Sequence, residues 1–327
     1  MTSARALLLA CTADAAFGDP RGFPHPVRVL GTLCAGAERL ARACARGDAR
    51  REKVAGALLC ASLVGGSYAI STVALARARR WDARFGVALE IGLAWTTLAA
   101  RDLLAEAHAV SAALEADDVA RARTCVARIV GRDTAELAPD EIARATIETL
   151  AESACDGVVA PLLALATGGV PLALAFKAAS TLDSMIGHIE APYTYLGWAS
   201  ARLDDVTCFL PARITALALA LCAPCVGGDA ARACAVLCAD GHRHRSPNAG
   251  RAEAAMAGAL GVRLGGMNRY GGVPNATPFL GAWLPPPTVA AVRVAARLVG
   301  MSTVAVASVA IALRAVAESA TKRDRRR

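Results

Sequence analysis

Several side chains able to bind a metal or move a proton fall in one polar stretch, residues 177–213 (KAASTLDSMIGHIEAPYTYLGWASARLDDVTCFLPAR): Asp183, His188, Glu190, Asp204 and Asp205. A connector between two helices needs only a few residues and no such concentration of charge. Asp183, with hydroxyls at Ser180, Thr181 and Ser184, suits a divalent cation that holds phosphates. The plain alternative is a helix start, with Ser180 or Thr181 as the cap and Asp183 in the first turn. Asp204 and Asp205 are adjacent and point apart on a helix, one toward a metal or substrate and the other toward an arginine such as Arg202. Arg213, inside an apolar run, calls for an anionic partner, either Asp205 or a phosphate.

Three further groups carry chemistry. Glu148, Glu152 and Asp156 recur every four residues, so they share one helical face and repel unless water, a metal or a cation lies beside them. The run HRHRSPNAG presents His244, Arg245 and Asn248 as an anion or nucleotide surface, with Ser246 capping a helix that Gly265 and Gly266 would end. LGGMNRYGG reads as a tight polar loop offering Asn268, Arg269 and Tyr270, without the Lys-Ser/Thr ending of a phosphate loop. The CAPC at 222–225, followed by Cys234, Cys238, His242 and His244, has the outline of a zinc set. Its first pair closes an apolar run, however, and we reject that reading. The eleven cysteines are scattered, several inside apolar runs, which is the usage of small buried hydrophobes.

The elements that position these groups belong to a membrane. The 327 residues are 55% hydrophobic with a mean hydropathy of +0.40. Apolar segments lie near 4–17, 54–76, 85–100, 158–176, 206–226 and 289–313, separated by polar loops at 18–53, 101–157, 177–205 and 227–288. The expectation is a single all-α polytopic membrane domain of about five to six apolar segments. Glu90, inside 85–100, is either functional or simply wet at an interface. Residues 14–31 form a helix-breaking loop that carries His25 and Arg28, and residues 33–53 read as one basic helix. That helix and the tail TKRDRRR mark the cytoplasmic face. Five segments between them give odd parity, so one of the proline-broken segments, 158–176 or 206–226, is expected to be re-entrant. The charge of +8 follows from this topology, and nothing has the patterning of a nucleic-acid binder.

Seven segments in order, ADAAFGDPRGFPHPVRVLG, GRDT, AESACDGVVAPL, FKAASTLDSMIGH, GWASARLDDV with PAR, HRSPNAGRAEAAMAGAL and RLGGMNRYGG, resemble the CobD/CbiB family of cobalamin biosynthesis. The resemblance implies an adenosylcobinamide-phosphate synthase of the cell membrane. Such an enzyme joins (R)-1-amino-2-propanol or its phosphate to the propionate of adenosylcobyric acid in an ATP- and Mg²⁺-dependent amide ligation. On this likeness Glu152, Asp156, Asp183, Asp204 and Asp205 are the metal candidates. Arg132, Arg202, Arg213, Arg245, Asn248, Asn268 and Arg269 would hold the nucleotide and phosphates. Asp183 also joins His25, His188 and His244 as a catalytic candidate, the base being one of the histidines. Ser153 and Arg251 depart from the family's usual Asn and aromatic residue. The implied partners are membrane lipid and either a second copy or other late enzymes of the pathway, with the active-site loops in the cytoplasm. The rival readings are a corrinoid transporter and a non-catalytic assembly component.

Overall fold

The computed structural model describes residues 2–19, 25–45, 47–188 and 190–324, with side chains as far as Thr321. Pro20, Gly22 and Pro24 of the expected helix-breaking loop, Arg46 of the basic run and the charged side chains of the tail lie outside the described residues. The chain is built from α1 (Ala4–Phe17), α2 (Pro26–Ala45), α3 (Ala49–Trp81), α4 (Ala83–Trp95), α5 (Ala100–Glu115), α6 (Val119–Val126) and α7 (Pro139–Ala154). It continues through α8 (Ala160–Gly168), α9 (Val170–Ile186), α10 (Trp198–Thr207), α11 (Phe209–Cys222), α12 (Ala230–Asp240), α13 (Ala249–Leu260) and α14 (Val289–Asp324). An antiparallel hairpin, β1 (Leu264–Tyr270) and β2 (Val273–Leu280), stands between the last two helices.

Four helical stretches, Ala49–Trp81, Pro139–Gly168, Phe209–Val226 and Val289–Thr321, are long and apolar enough to cross a membrane. The protein is an all-α polytopic membrane protein. Segments 54–76 and 289–313 lie inside α3 and α14. By contrast α1 and α4, at 14 and 13 residues, reach about 20 Å at 1.5 Å per residue, short of a hydrocarbon core of about 30 Å. Segment 158–176 is not one element. A π-helical turn, Cys155–Val159, joins α7 to α8, and α8 stops at Gly168. Gly169 then takes a φ of 75° and α9 packs back against α8.

Two polar stretches also differ from expectation. The basic run at 33–53 is two helices, parted at Gly47 (φ 77°), with the Asp48 carboxylate capping α3 by accepting the Arg51 N–H at 2.8 Å. Most of 177–205 is helix rather than loop. Helix α9 runs on to Ile186, so Asp183 occupies its last turn, where its carbonyl accepts the Gly187 N–H at 2.7 Å, and Ser180 and Thr181 cap nothing.

Packing divides the chain into two compact units. Unit 1 comprises Met1–Ala99, Ala160–Cys208 and Ala307–Arg327. In it α3 packs on α9, with Cys34, Leu59, Leu182, Ile186 and Leu196 buried among α2, α3, α9 and the chain entering α10. Glu90 is buried there and accepts from Arg79 Nη2 at 2.6 Å, so it is an ion-pair partner between α3 and α4. Unit 2 comprises Ala100–Val159 and Phe209–Val306. Its centre is α13, whose small residues Ala252, Ala254, Ala255, Ala257, Gly258 and Ala259 let α7, α11 and α12 close on it.

Candidate functional site

In unit 2 the polar groups gather around Glu148. Pro139 at the first position and Asp140 and Glu141 in the first turn start α7, which places Arg144 and Glu148 one turn apart on a face turned into the unit. Glu148 is 6% exposed. Its Oε1 accepts from Arg144 Nη1 at 3.1 Å and from the Gly265 N–H at 2.7 Å, and its Oε2 accepts from Arg132 Nη2. Both guanidiniums reach on to the hairpin. Arg132 Nη1 donates to Asn268 Oδ1 at 2.6 Å, and Arg144 Nη2 donates to Asn268 Oδ1 and to the Met267 carbonyl, each at 3.0 Å. A second strap comes from Asp133. Its N–H donates to the Arg269 carbonyl at 2.8 Å, and its carboxylate accepts the N–H groups of Gly271 and Gly272 at 3.0 and 2.7 Å. Those glycines form the hairpin turn with φ of 57° and 80°, a conformation that side-chain-bearing residues adopt at a cost.

Helix α13 brings up Glu253, 7% exposed. Burial first, then the nearby carboxylates Glu148 and Glu152, push its acid well above the usual carboxylate range, against the pull of Arg132 and Arg144. His244 precedes the helix. Its Nδ1 accepts the Ser246 N–H at 3.1 Å, and burial lowers its basicity despite the Glu148 charge. The neutral imidazole therefore carries its proton on Nε2 and acts there as a donor. Ser246 Oγ accepts the N–H groups of Asn248 and Ala249 at 3.3 and 3.2 Å just ahead of α13, whose N-cap position is Asn248 rather than the expected Ser246. The helix ends at Gly261 (φ 69°), whereas Gly265 and Gly266 belong to β1.

The expected site residues divide between the units. In unit 2, Arg132 and Asn268 meet, but their polar groups face each other and Glu148 and are not open to an incoming phosphate. Arg245 and Arg269 are exposed, Asn248 is buried at the start of α13, and Arg213 lies over the Phe209 ring while donating to the Phe209 carbonyl at 2.6 Å. Arg213 therefore has no need of the anion that its apolar context suggested. The stripe of three carboxylates is also broken up. Glu148 is buried, Glu152 is exposed, and Asp156 is half-buried within the π-helical turn.

In unit 1, His25 Nε2 lies 2.7 Å from Asp19 Oδ1, and exposed His188 stacks edge-on against Tyr193. Arg202 Nη1 donates to Asp205 Oδ2 at 3.0 Å, while Asp204 Oδ1 accepts from the Cys208 thiol at 3.6 Å. Among the described residues of either unit, no three of the expected metal carboxylates converge on one point. No step is routed through a resident ion.

Sequence reasoning passed over Arg144, the Gly265 N–H and the chemistry of Glu253. The i,i+4 spacing of Arg144 and Glu148 was the available signal for the first. The bond between Arg132 and Asn268 also bears on topology. The chain between them must cross the membrane an even number of times, so 158–176 or 206–226 failing alone, as the charge parity suggested, would part the two residues.

Comparison with known proteins finds similarity over nearly the whole chain. The family described as CobD/Cbib protein matches residues 7–299. "Cobalamin biosynthesis protein CobD" of Geobacter metallireducens is 44% identical over 300 residues, 91% of this chain and 93% of the relative. The protein of the same name from Pelobacter propionicus is 44% identical over 84% of each chain. "Cobalamin biosynthesis protein CbiB" of Salmonella typhimurium is 40% identical over 84% of this chain and 85% of its own. No solved structure matches the chain. A family match of this extent, with relatives aligned along most of their own length, makes the chain a member of the CobD/CbiB family.

Proposed function

We propose that the protein serves cobalamin biosynthesis as an adenosylcobinamide-phosphate synthase. It would form an amide between (R)-1-amino-2-propanol, free or phosphorylated, and the propionate of adenosylcobyric acid. The observation that carries this reading is the unbroken likeness, along residues 7–299, to proteins named for cobalamin biosynthesis. The desolvated acid–arginine cluster of unit 2 supports an enzyme over a scaffold, because shifted acids buried beside specific charges are typical of reacting sites.

A carboxylate and an ammonium do not condense in water. The acid must first be activated, which an acyl phosphate made from ATP achieves, and the amine must lose a proton. Magnesium enters this scheme with the nucleotide. Exposed Arg245 and Arg269 are unit 2 cations that would meet phosphate oxygens, and the His244 Nε2–H is a donor for developing negative charge. Because the nucleotide is cytoplasmic, the reacting loops belong on that face of the cell membrane.

The test is the purified protein in detergent with adenosylcobyric acid, the amino alcohol phosphate and Mg-ATP. An amide product by mass spectrometry is the expected result. Failure to form it, with an unchanged corrinoid profile after gene deletion, overturns the enzyme reading. Uptake of unaltered corrinoid into sealed vesicles would mark a transporter instead.

A further inference from the structure

Glu253 is a buried acid that nothing above employs. The guanidiniums near it are directed elsewhere. Arg132 bonds Glu148 and Asn268, Arg144 bonds Glu148, Asn268 and the Met267 carbonyl, and the Gly265 N–H bonds Glu148. Among the described residues no N–H or O–H donates to the Glu253 carboxyl, whose oxygens are not among the fully enclosed atoms without a partner, although the residue is only 7% exposed. A buried carboxyl left in this way is costly unless a proton or a cationic ligand with its own N–H donors answers it. The nearby guanidiniums do not answer it, since both are bonded to Glu148.

The missing group is a donor, and its class can be narrowed. A divalent ion needs several oxygen ligands at once, and both Glu148 oxygens already accept hydrogen bonds. A guanidinium would also suit one carboxylate, but the amide-ligation reading supplies a primary ammonium instead. A primary ammonium needs one buried carboxylate and a few neighbouring acceptors. We propose that Glu253 is the seat of the acceptor amine, binding the ammonium of a short amino alcohol and taking one proton from it. This rests on the amide-ligation reading above.

In balanced form, the ammonium gives a proton to the Glu253 carboxylate and becomes a neutral amine. The amine nitrogen attacks the carbonyl carbon of the acyl phosphate formed with a nucleoside triphosphate. The C–N bond forms, the C–O bond to phosphate breaks with its electron pair leaving on phosphate, and the second amine proton departs with that phosphate. Glu253 then returns its proton to water. The histidines serve this role less well. His244 Nδ1 is occupied by the Ser246 N–H, so its open nitrogen is a donor, and His25 Nε2 faces Asp19.

The experiment uses the full chain in detergent and the variants Glu253→Gln and Glu253→Asp. Amide formation is followed against (R)-1-amino-2-propanol concentration at saturating corrinoid acid and Mg-ATP. In parallel, hydroxylamine, a nucleophile already neutral at pH 7, traps the activated acid as a hydroxamate. Glu253→Gln should raise KM for the amino alcohol at least ~10-fold and lower kcat at least ~100-fold, the lower end of the range for a lost general base. KM for the corrinoid acid and hydroxamate formation should stay at wild-type values, as should the melting temperature at a pH below the ordinary carboxylate value, and Glu253→Asp should restore part of the rate. Unchanged amine kinetics in Glu253→Gln, or equal loss of hydroxamate and amide, would overturn the proposal. Absence of both products from the wild-type protein would instead overturn the ligation reading on which it rests.

Discussion

Glu148 answers two guanidiniums and one backbone N–H from a buried position, so removing its carboxylate strands all three at once. Breaking a buried ion pair from one side costs about 3–5 kcal/mol. Glu148→Ala should therefore lower the melting temperature in detergent sharply, while Arg128→Ala, which removes an exposed pair with Glu106, should leave it unchanged. Equal effects would show that the cluster does not hold unit 2 together. Glu253 makes a second measurable statement. Its folded acid binds protons more tightly than the unfolded one, so its contribution is complete below the ordinary carboxylate value. That contribution fades as pH rises through the raised folded value. Wild-type melting should fall with pH across that window, and the fall should be smaller in Glu253→Gln. At this scale the sequence was only half legible. The four-residue spacing of Glu148 and Glu152 drew attention to the right helix, but Arg132 and Asn268, 136 positions apart, meet only through the fold. Periodicity carries no information about such a pair, which is why Arg132 and Asn268 looked open to phosphate.

The hairpin shows the same limit one level up. Its strands read LGGMNRY and VPNATPFL, where glycine and proline interrupt the alternation and few β-branched residues favour a pleat, so the stretch looked like a loop. What holds it is external: Asp133 grips the turn, and Arg132 and Arg144 grip Asn268 and Met267. Asp133→Ala removes two hydrogen bonds to a charged acceptor, about 1.5–3 kcal/mol each. The amides of Gly271 and Gly272 should then exchange with solvent markedly faster, as read by hydrogen–deuterium exchange, and an unchanged rate would mean that the turn is self-supporting. Helix α13 was more legible, because Ser246-Pro247 and a run of alanines announce a capped helix. Its full burial was not, since it rests on partners far away in the chain. An added Cβ at Gly258 would lie 2.5 Å from the Arg232 carbonyl oxygen and 2.6 Å from the Ala233 Cα. Gly258→Val should therefore force α12 away from α13 and destabilise unit 2, whereas Ala255→Gly, which leaves a small space, should be milder.

For the whole molecule, the membrane turns a single hydrogen bond into a rule about topology. Hydropathy gave the membrane character correctly, because a charge-free run such as that in α3 has few other homes. It could not tell a short packed helix such as α4 from a crossing one, and counting both produced the odd parity that seemed to demand one re-entrant segment. The Arg132–Asn268 bond demands instead that residues 131–134 and the hairpin share one face, with an even number of crossings between them. Candidate spans Pro139–Gly168 and Phe209–Val226 supply two. Single cysteines at Asp117, in the turn between α5 and α6, and at Gly272, in the hairpin turn, should label from the same side in a cysteine-free background. Under the proposed reaction that side is the cytoplasm, where the nucleotide is. Labelling from opposite sides would break the bond that organises unit 2. Labelling of both only from outside would leave the cluster intact but remove cytoplasmic ATP from its reach, and with it the use of the nucleotide at this site.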